Sequence, residues 1–202
     1  MALNDFFKYG SVFSPVIPLL FAWQKLNRYQ VVIVIFIACS FFSDLFSLYI
    51  FNPRGGNYHF LQLYGIIEAC LLFYFYSLVL KNARTKIIVL LIGYGIFYSI
   101  DSFTWEAGTF NSYARVIECL FIVSFSLMLF LQFYKDEDDI FIEKSPLFWF
   151  NVALLTYFAG AFFSFILSKY FLPGVFSWKF HNSANMLKNI IMAIGLWKLK
   201  RP

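Results

Sequence analysis

The chain has 202 residues, of which 61% are hydrophobic and 13% charged, and a formal net charge of +5. A soluble domain carries about 25% charged residues, and one of this size has too small a core to hide 29 Phe and an aromatic content of 23%. The composition excludes a soluble globular domain and makes lipid the expected solvent; the basic residues sit at the ends of apolar runs, as membrane insertion requires, so no nucleic-acid partner is expected.

A helix needs about 20 residues to cross the hydrocarbon core. Seven runs meet or approach that length, and together they predict an all-α, polytopic bundle of seven transmembrane helices forming a single domain over 1–202. The first run, 9–26, is short and holds Pro15 and Pro18, which a membrane helix accommodates with a kink. The second, 31–51, is interrupted by Asp44, and the third, 59–80, by Glu68. The fourth, 87–105, carries Asp101 near its end, and its Gly93-Tyr94-Gly95 is a candidate helix break. The fifth, 112–134, carries Arg115 and Glu118. The sixth, 146–168, has no charge at all and repeats Thr156, Gly160 and Ser164 every fourth residue, a packing surface. The seventh, 178–197, carries His181 and Lys188 between Trp178 and Trp197, which read as interfacial anchors.

The connections are short. Residues 52–57 (Asn-Pro-Arg-Gly-Gly-Asn) form a turn by composition, and 81–86 a basic turn. The acidic run Asp136 to Asp139 lacks the alternating ligands and glycine of a calcium loop and reads as a solvated segment. Lys25, Arg28, Lys81, Arg84, Lys86, Lys135, Lys144, Lys198, Lys200 and Arg201 fall on one side of the seven spans, against Lys8, Arg54, Arg115, Lys169 and Lys179 on the other. The positive-inside rule then places the N-terminus outside and the C-terminus in the cytoplasm. The N-terminal region does not read as a signal peptide, because its positive charge follows the apolar run. Cys39, Cys70 and Cys119 lie inside apolar runs without metal-type spacing and read as small buried residues.

Ionisable groups within spans cost roughly 2.5 kcal/mol or more each at the bilayer centre, so they are expected to face a protein interior or a wet cavity. With the N-terminus outside, Asp44, Glu68, Glu118, His181 and Lys188 fall in the outer half of the membrane or near its middle. Helical spacing groups them. Ser40, Ser43, Asp44 and Ser47 share one face of the second span. His181, Asn185, Lys188 and Asn189 share one face of the seventh, with Asn182 beside it. Asn111, Arg115 and Glu118 share a face of the fifth, and Arg115 is close enough to Glu118 for a local ion pair. The expected ligand- or ion-binding residues are therefore Asp44, Glu68, Arg115, Glu118, His181, Asn182, Asn185, Lys188 and Asn189. Interhelical hydrogen bonding is the competing reading of the same stripes. Three acids face two bases in this set, which leaves one carboxyl without a basic partner and predicts proton-sensitive behaviour.

No catalytic set, metal or cofactor is expected. The two histidines and Asn185 four residues after His181 depart from the three-histidine zinc set of the seven-span ceramidase and adiponectin-receptor group. Lys188 in the seventh span and Glu68 in the third resemble the Schiff-base lysine and counterion of the rhodopsins, which would imply retinal. Ala184, however, stands where the microbial members carry Asp, and their third-helix pattern is missing. The Ile67-Glu68 start, the opening Pro146-Leu-Phe-Trp-Phe150 and the segment His181-Asn-Ser-Ala-Asn-Met-Leu-Lys-Asn189 resemble a loosely defined group of small seven-span bacterial inner-membrane proteins. That resemblance implies topology and location and brings no activity. Two functional classes lead: a sensor or receptor-like subunit that binds a small ligand and signals through a separate partner, and a proton-linked small-solute transporter. A structural subunit of a membrane complex is the third.

Overall fold

The computed structural model describes residues 2–50, 58–105, 112–135, 142–170 and 175–199, and among these the chain is helical with no strand. The turn at 52–57, Asn111 and the acidic run from Asp136 to Asp139 lie outside the described residues. The helices are α1 (Ala2–Phe13), α2 (Val16–Leu19), α3 (Arg28–Ile50), α4 (Tyr58–Val79), α5 (Arg84–Ile100), α6 (Ser112–Lys135), α7 (Pro146–Tyr170) and α8 (Val175–Lys198). A wider turn, Asp101–Trp105, extends α5, and a tight one, Ile142–Lys144, precedes α7.

Helices α3, α4, α5, α6 and α7 each contain a stretch long and apolar enough to cross a membrane, which marks the chain as an integral membrane protein. Their burial pattern fits lipid as solvent. The outward faces carry Ile, Leu, Val and Phe, for instance Val89, Ile92 and Ile96 on α5, while Glu68, Asp101, Arg115 and Glu118 are buried and the exposed Ser99, Thr104 and Ser124 hydroxyls donate to carbonyls of their own helices. Helix α8 has 24 residues, about 36 Å at 1.5 Å per residue, but its inward stripe of amides and charge sets it apart from the apolar five.

The expectation of one kinked helix over 9–26 is revised. The helical stretch begins earlier, at Ala2, breaks at Ser14–Pro15, and ends by Leu19. The two prolines explain the break. Pro15 has no N–H for the Ser11 carbonyl, and Pro18 none for that of Ser14. The Ser14 hydroxyl donates to the Ser11 carbonyl in place of the missing bond, at 2.9 Å, and the Ile17 N–H tightens onto the Ser14 carbonyl at 3.1 Å. The break suggested for Gly93-Tyr94-Gly95 does not occur. Helix α5 runs through all three residues, and the two glycines face open space.

Residue pairings give the direction of each helix. Tyr29 meets Phe75 and Phe46 stacks on Phe60, so α3 and α4 are antiparallel. Phe73 stacks on Tyr94, Tyr94 reaches Glu118, and Tyr76 reaches Asn151, which continues the alternation through α5, α6 and α7. Gly160 lies against Ala184 and Gly195 against Phe150, so α8 is antiparallel to α7. Ser11 meets Asn185 and Ser14 meets Asn189, so α1 is parallel to α8. The α1–α2 unit packs on both α3 and α8 and closes a ring of α1–α2, α3, α4, α6, α7 and α8, with α5 seated outside against α4 and α6. The α7–α8 contact is the most extensive. It depends on Gly195, where a Cβ would come within 2.7 Å of the Phe150 ring, and on Gly160, where a Cβ would meet that of Ala184 at 3.1 Å.

In the half of the bundle remote from the charged residues, the fully buried Tyr76 hydroxyl shares a 2.6 Å hydrogen bond with Ser126 Oγ and donates to Asn151 Oδ1 at 3.0 Å. The Asn151 amide donates to the Ser126 carbonyl at 3.0 Å. Each polar group in this knot has a partner, so it fastens α4, α6 and α7 without leaving a binding function to spare.

Candidate polar site within the bundle

The charged residues of the spans form two adjoining groups. In the first, α6 presents Arg115 in its first turn and Glu118 one turn later on the same face. Arg115 Nη1 donates to Glu118 Oε2 at 2.9 Å, the local pair expected from the spacing. The same nitrogen also donates to Glu68 Oε2 on α4, at 2.5 Å. One guanidinium therefore serves two carboxylates, and all three side chains are buried. The aromatic residues of α4 and α5 complete the enclosure. The Tyr64 hydroxyl makes a long 3.4 Å contact to Glu68 Oε1, and the guanidinium lies 5.8 Å from the Tyr64 ring centre. Tyr94 donates to Glu118 Oε2 at 3.4 Å, and Tyr98 donates to the Gln62 carbonyl at 2.7 Å. Gly65 lets these groups lie against the α4 backbone: a Cβ there would stand 2.8 Å from the Tyr98 hydroxyl and 3.1 Å from the guanidinium.

The second group is built on α8. Asn185 Nδ2 donates to Ser11 Oγ at 2.9 Å and contacts Asp44 Oδ2 on α3 at 3.3 Å. One turn on, Asn189 Nδ2 donates to Ser14 Oγ at 2.7 Å. Both amides thus hold the broken α1–α2 unit onto α8 at its proline break. Between them in sequence, Lys188 is 1% exposed. Its ammonium lies 4.5 Å from the Tyr157 ring centre and 5.0 Å from that of Phe36, within electrostatic reach of Asp44 and Glu68. Lys188 makes no hydrogen bond or ion pair among the described residues. The His181 ring packs on Tyr157, centroids 5.6 Å apart. Asn182 is half-buried on the neighbouring face.

The residues singled out from the sequence are therefore placed unequally. Glu68, Arg115 and Glu118 form one ion-paired group, while Asp44, Asn185, Lys188, Asn189 and His181 line the second. The sequence reading missed Ser11, Ser14, Tyr64, Gly65, Tyr94 and Tyr98. A signal existed for some of them. Ser11 and Ser14 flank Pro15 at helical spacing, and Tyr94 and Tyr98 recur four apart on α5.

Glu118 Oε1, Asn185 Oδ1 and Asn189 Oδ1 are buried without a hydrogen-bond partner among the described residues. Each such oxygen costs about 1–3 kcal/mol when left unpaired. Among the described residues, no three His, Cys, Asp or Glu side chains are grouped as a metal-binding set. Comparison of the chain with protein families, with curated proteins and with solved structures returned no match.

Proposed function

We propose that this protein is a seven-span membrane protein of the bacterial inner membrane, N-terminus outside, whose polar centre binds a small ligand or ion from the outer side. In this reading it acts as a sensor or receptor-like subunit and passes the bound state to a separate partner. The α1–α2 unit and α8 supply the first and seventh spans. The observation that carries the reading is Lys188, an ammonium enclosed by two aromatic rings that makes no hydrogen bond or ion pair among the described residues. A buried cation costs several kcal/mol unless it is paired. A helix-gluing role would spend its three N–H groups on neighbouring helices, as the two adjacent asparagines do. Donors held in reserve beside unpaired acceptors suit a bound guest.

Native mass spectrometry of the protein extracted with its own lipid tests this. A small molecule retained by the wild type and lost in Lys188→Met supports the reading. Identical spectra from the two, with unchanged melting, count against it. A second reading, a proton-linked transporter, has one specific observation in its favour: the first helix is broken at Pro15 beside the polar centre, as transporter helices are at mid-membrane sites. Reconstituted vesicles containing a pH-sensitive dye separate the two. Proton movement abolished by Lys188→Ala favours transport, and a tight vesicle favours the sensor.

A further inference from the structure

We propose that an alkali cation binds at the seam between α8 and the proline break of the first helix, held by Asn185 Oδ1, Asn189 Oδ1 and the Asp44 carboxylate. The inference rests on the reading of this centre as a binding site and names one occupant. Both asparagines spend their amide nitrogens on the break, on Ser11 and Ser14. The amide oxygen is joined through one carbon to that nitrogen, so both oxygens lie at the same seam, one helical turn apart. Neither has a partner among the described residues, and the two side chains are 5% and 0% exposed. Asp44 joins them there through its 3.3 Å contact to Asn185.

No donor among the described residues reaches these oxygens. Lys188 places its ammonium over Tyr157 and Phe36 and forms no ion pair with Asp44. Amide and carboxylate oxygens are hard ligands, suited to cations that are bound by oxygen alone. The charge of the ligands selects valence. Among the three proposed ligands only the Asp44 carboxylate is charged, and its single negative charge is balanced by a monovalent cation and overshot by a divalent one. The serines on the inward face of α3, Ser40 and Ser43, are buried at the same level and offer further oxygen ligands.

The test uses the full chain in lipid nanodiscs. Melting is followed in chloride salts of sodium, potassium, lithium and choline at constant ionic strength. A cation held only by the folded state raises the melting temperature on the order of 4 °C per tenfold excess over its dissociation constant. The expected result is saturable stabilisation by at least one alkali cation relative to choline. Asp44→Asn keeps an acceptor for the Asn185 amide and is expected to weaken the cation response, measured against its own melting in choline, at least tenfold. Equal melting in all four salts overturns the proposal, as does an alkali response that Asp44→Asn leaves intact. If the cation response is absent while Lys188→Met still loses a retained small molecule, the site stands and this occupant fails.

Discussion

Replacing Arg115 by Met tests the ion-paired group most directly. Its Nη1 lies 2.5 Å from Glu68 Oε2 and 2.9 Å from Glu118 Oε2, so those two oxygens are within about 5 Å of each other. Two ionised carboxylates at that distance repel by about 3 kcal/mol at an effective dielectric of 20. Removing one partner of a buried ion pair costs about 3–5 kcal/mol in general, and here the single loss strands two carboxylates. Arg115→Met should therefore lower stability by about 3 kcal/mol or more, well above the roughly 0.6 kcal/mol typical of a hydrogen bond between membrane helices. The cost should be conditional. In a background of Glu68→Gln with Glu118→Gln, the same substitution should cost about 1 kcal/mol or less, since no charge is left unpaired. Reversible unfolding in mixed detergent micelles, followed by tryptophan fluorescence, measures both limbs of the cycle. An Arg115→Met cost that is the same with and without the two carboxylates would refute the shared-guanidinium account.

Four further outcomes follow from the geometry. Gly195→Ala should destabilise by about 1–3 kcal/mol because its Cβ would meet the Phe150 ring at 2.7 Å, whereas Gly93→Ala and Gly95→Ala meet nothing within 4 Å and should stabilise α5 by a few tenths of a kcal/mol up to about 1; melting of the three variants side by side checks the contrast. Tyr76→Phe removes the hydroxyl shared with Ser126 and Asn151 and should cost about 1–3 kcal/mol in the same unfolding assay, with no effect on any bound species. Asn189→Ala should free the Ser14 end of the first helix and raise hydrogen exchange across 10–20 more than across α7, and uniform exchange would contradict the role given to that amide. For orientation, Lys81→Cys in a chain with Cys39, Cys70 and Cys119 replaced should react with an impermeant thiol reagent only from the cytoplasmic side; labelling of intact cells from outside reverses the topology.

Membrane residence and the identity of the costly residues could be read from the sequence because both are local properties. Apolar content over 20 residues decides whether a helix tolerates lipid, and the spacing of Asp44, Arg115, Glu118, Asn185, Lys188 and Asn189 decides which face must avoid it. Even the Arg115–Glu118 contact is local, one turn of a single helix. What each polar group meets across the bundle is not local. Arg115 reaches Glu68 over 47 positions, and Asn185 and Asn189 reach Ser11 and Ser14 over 174 and 175. Those pairings exist because α1–α2 closes the ring between α3 and α8, and no periodicity within one helix encodes closure. The start of the first helix was misplaced for a related reason. Pro15 and Pro18 announce a kink, but not that a serine hydroxyl and a tightened turn hold the break within a stretch that runs from Ala2 to Leu19. Seven apolar runs and their polar stripes were thus determined by sequence alone. The tertiary structure decided that the Asn185 and Asn189 amides fasten the first helix to α8, and that the Lys188 ammonium rests on the rings of Tyr157 and Phe36.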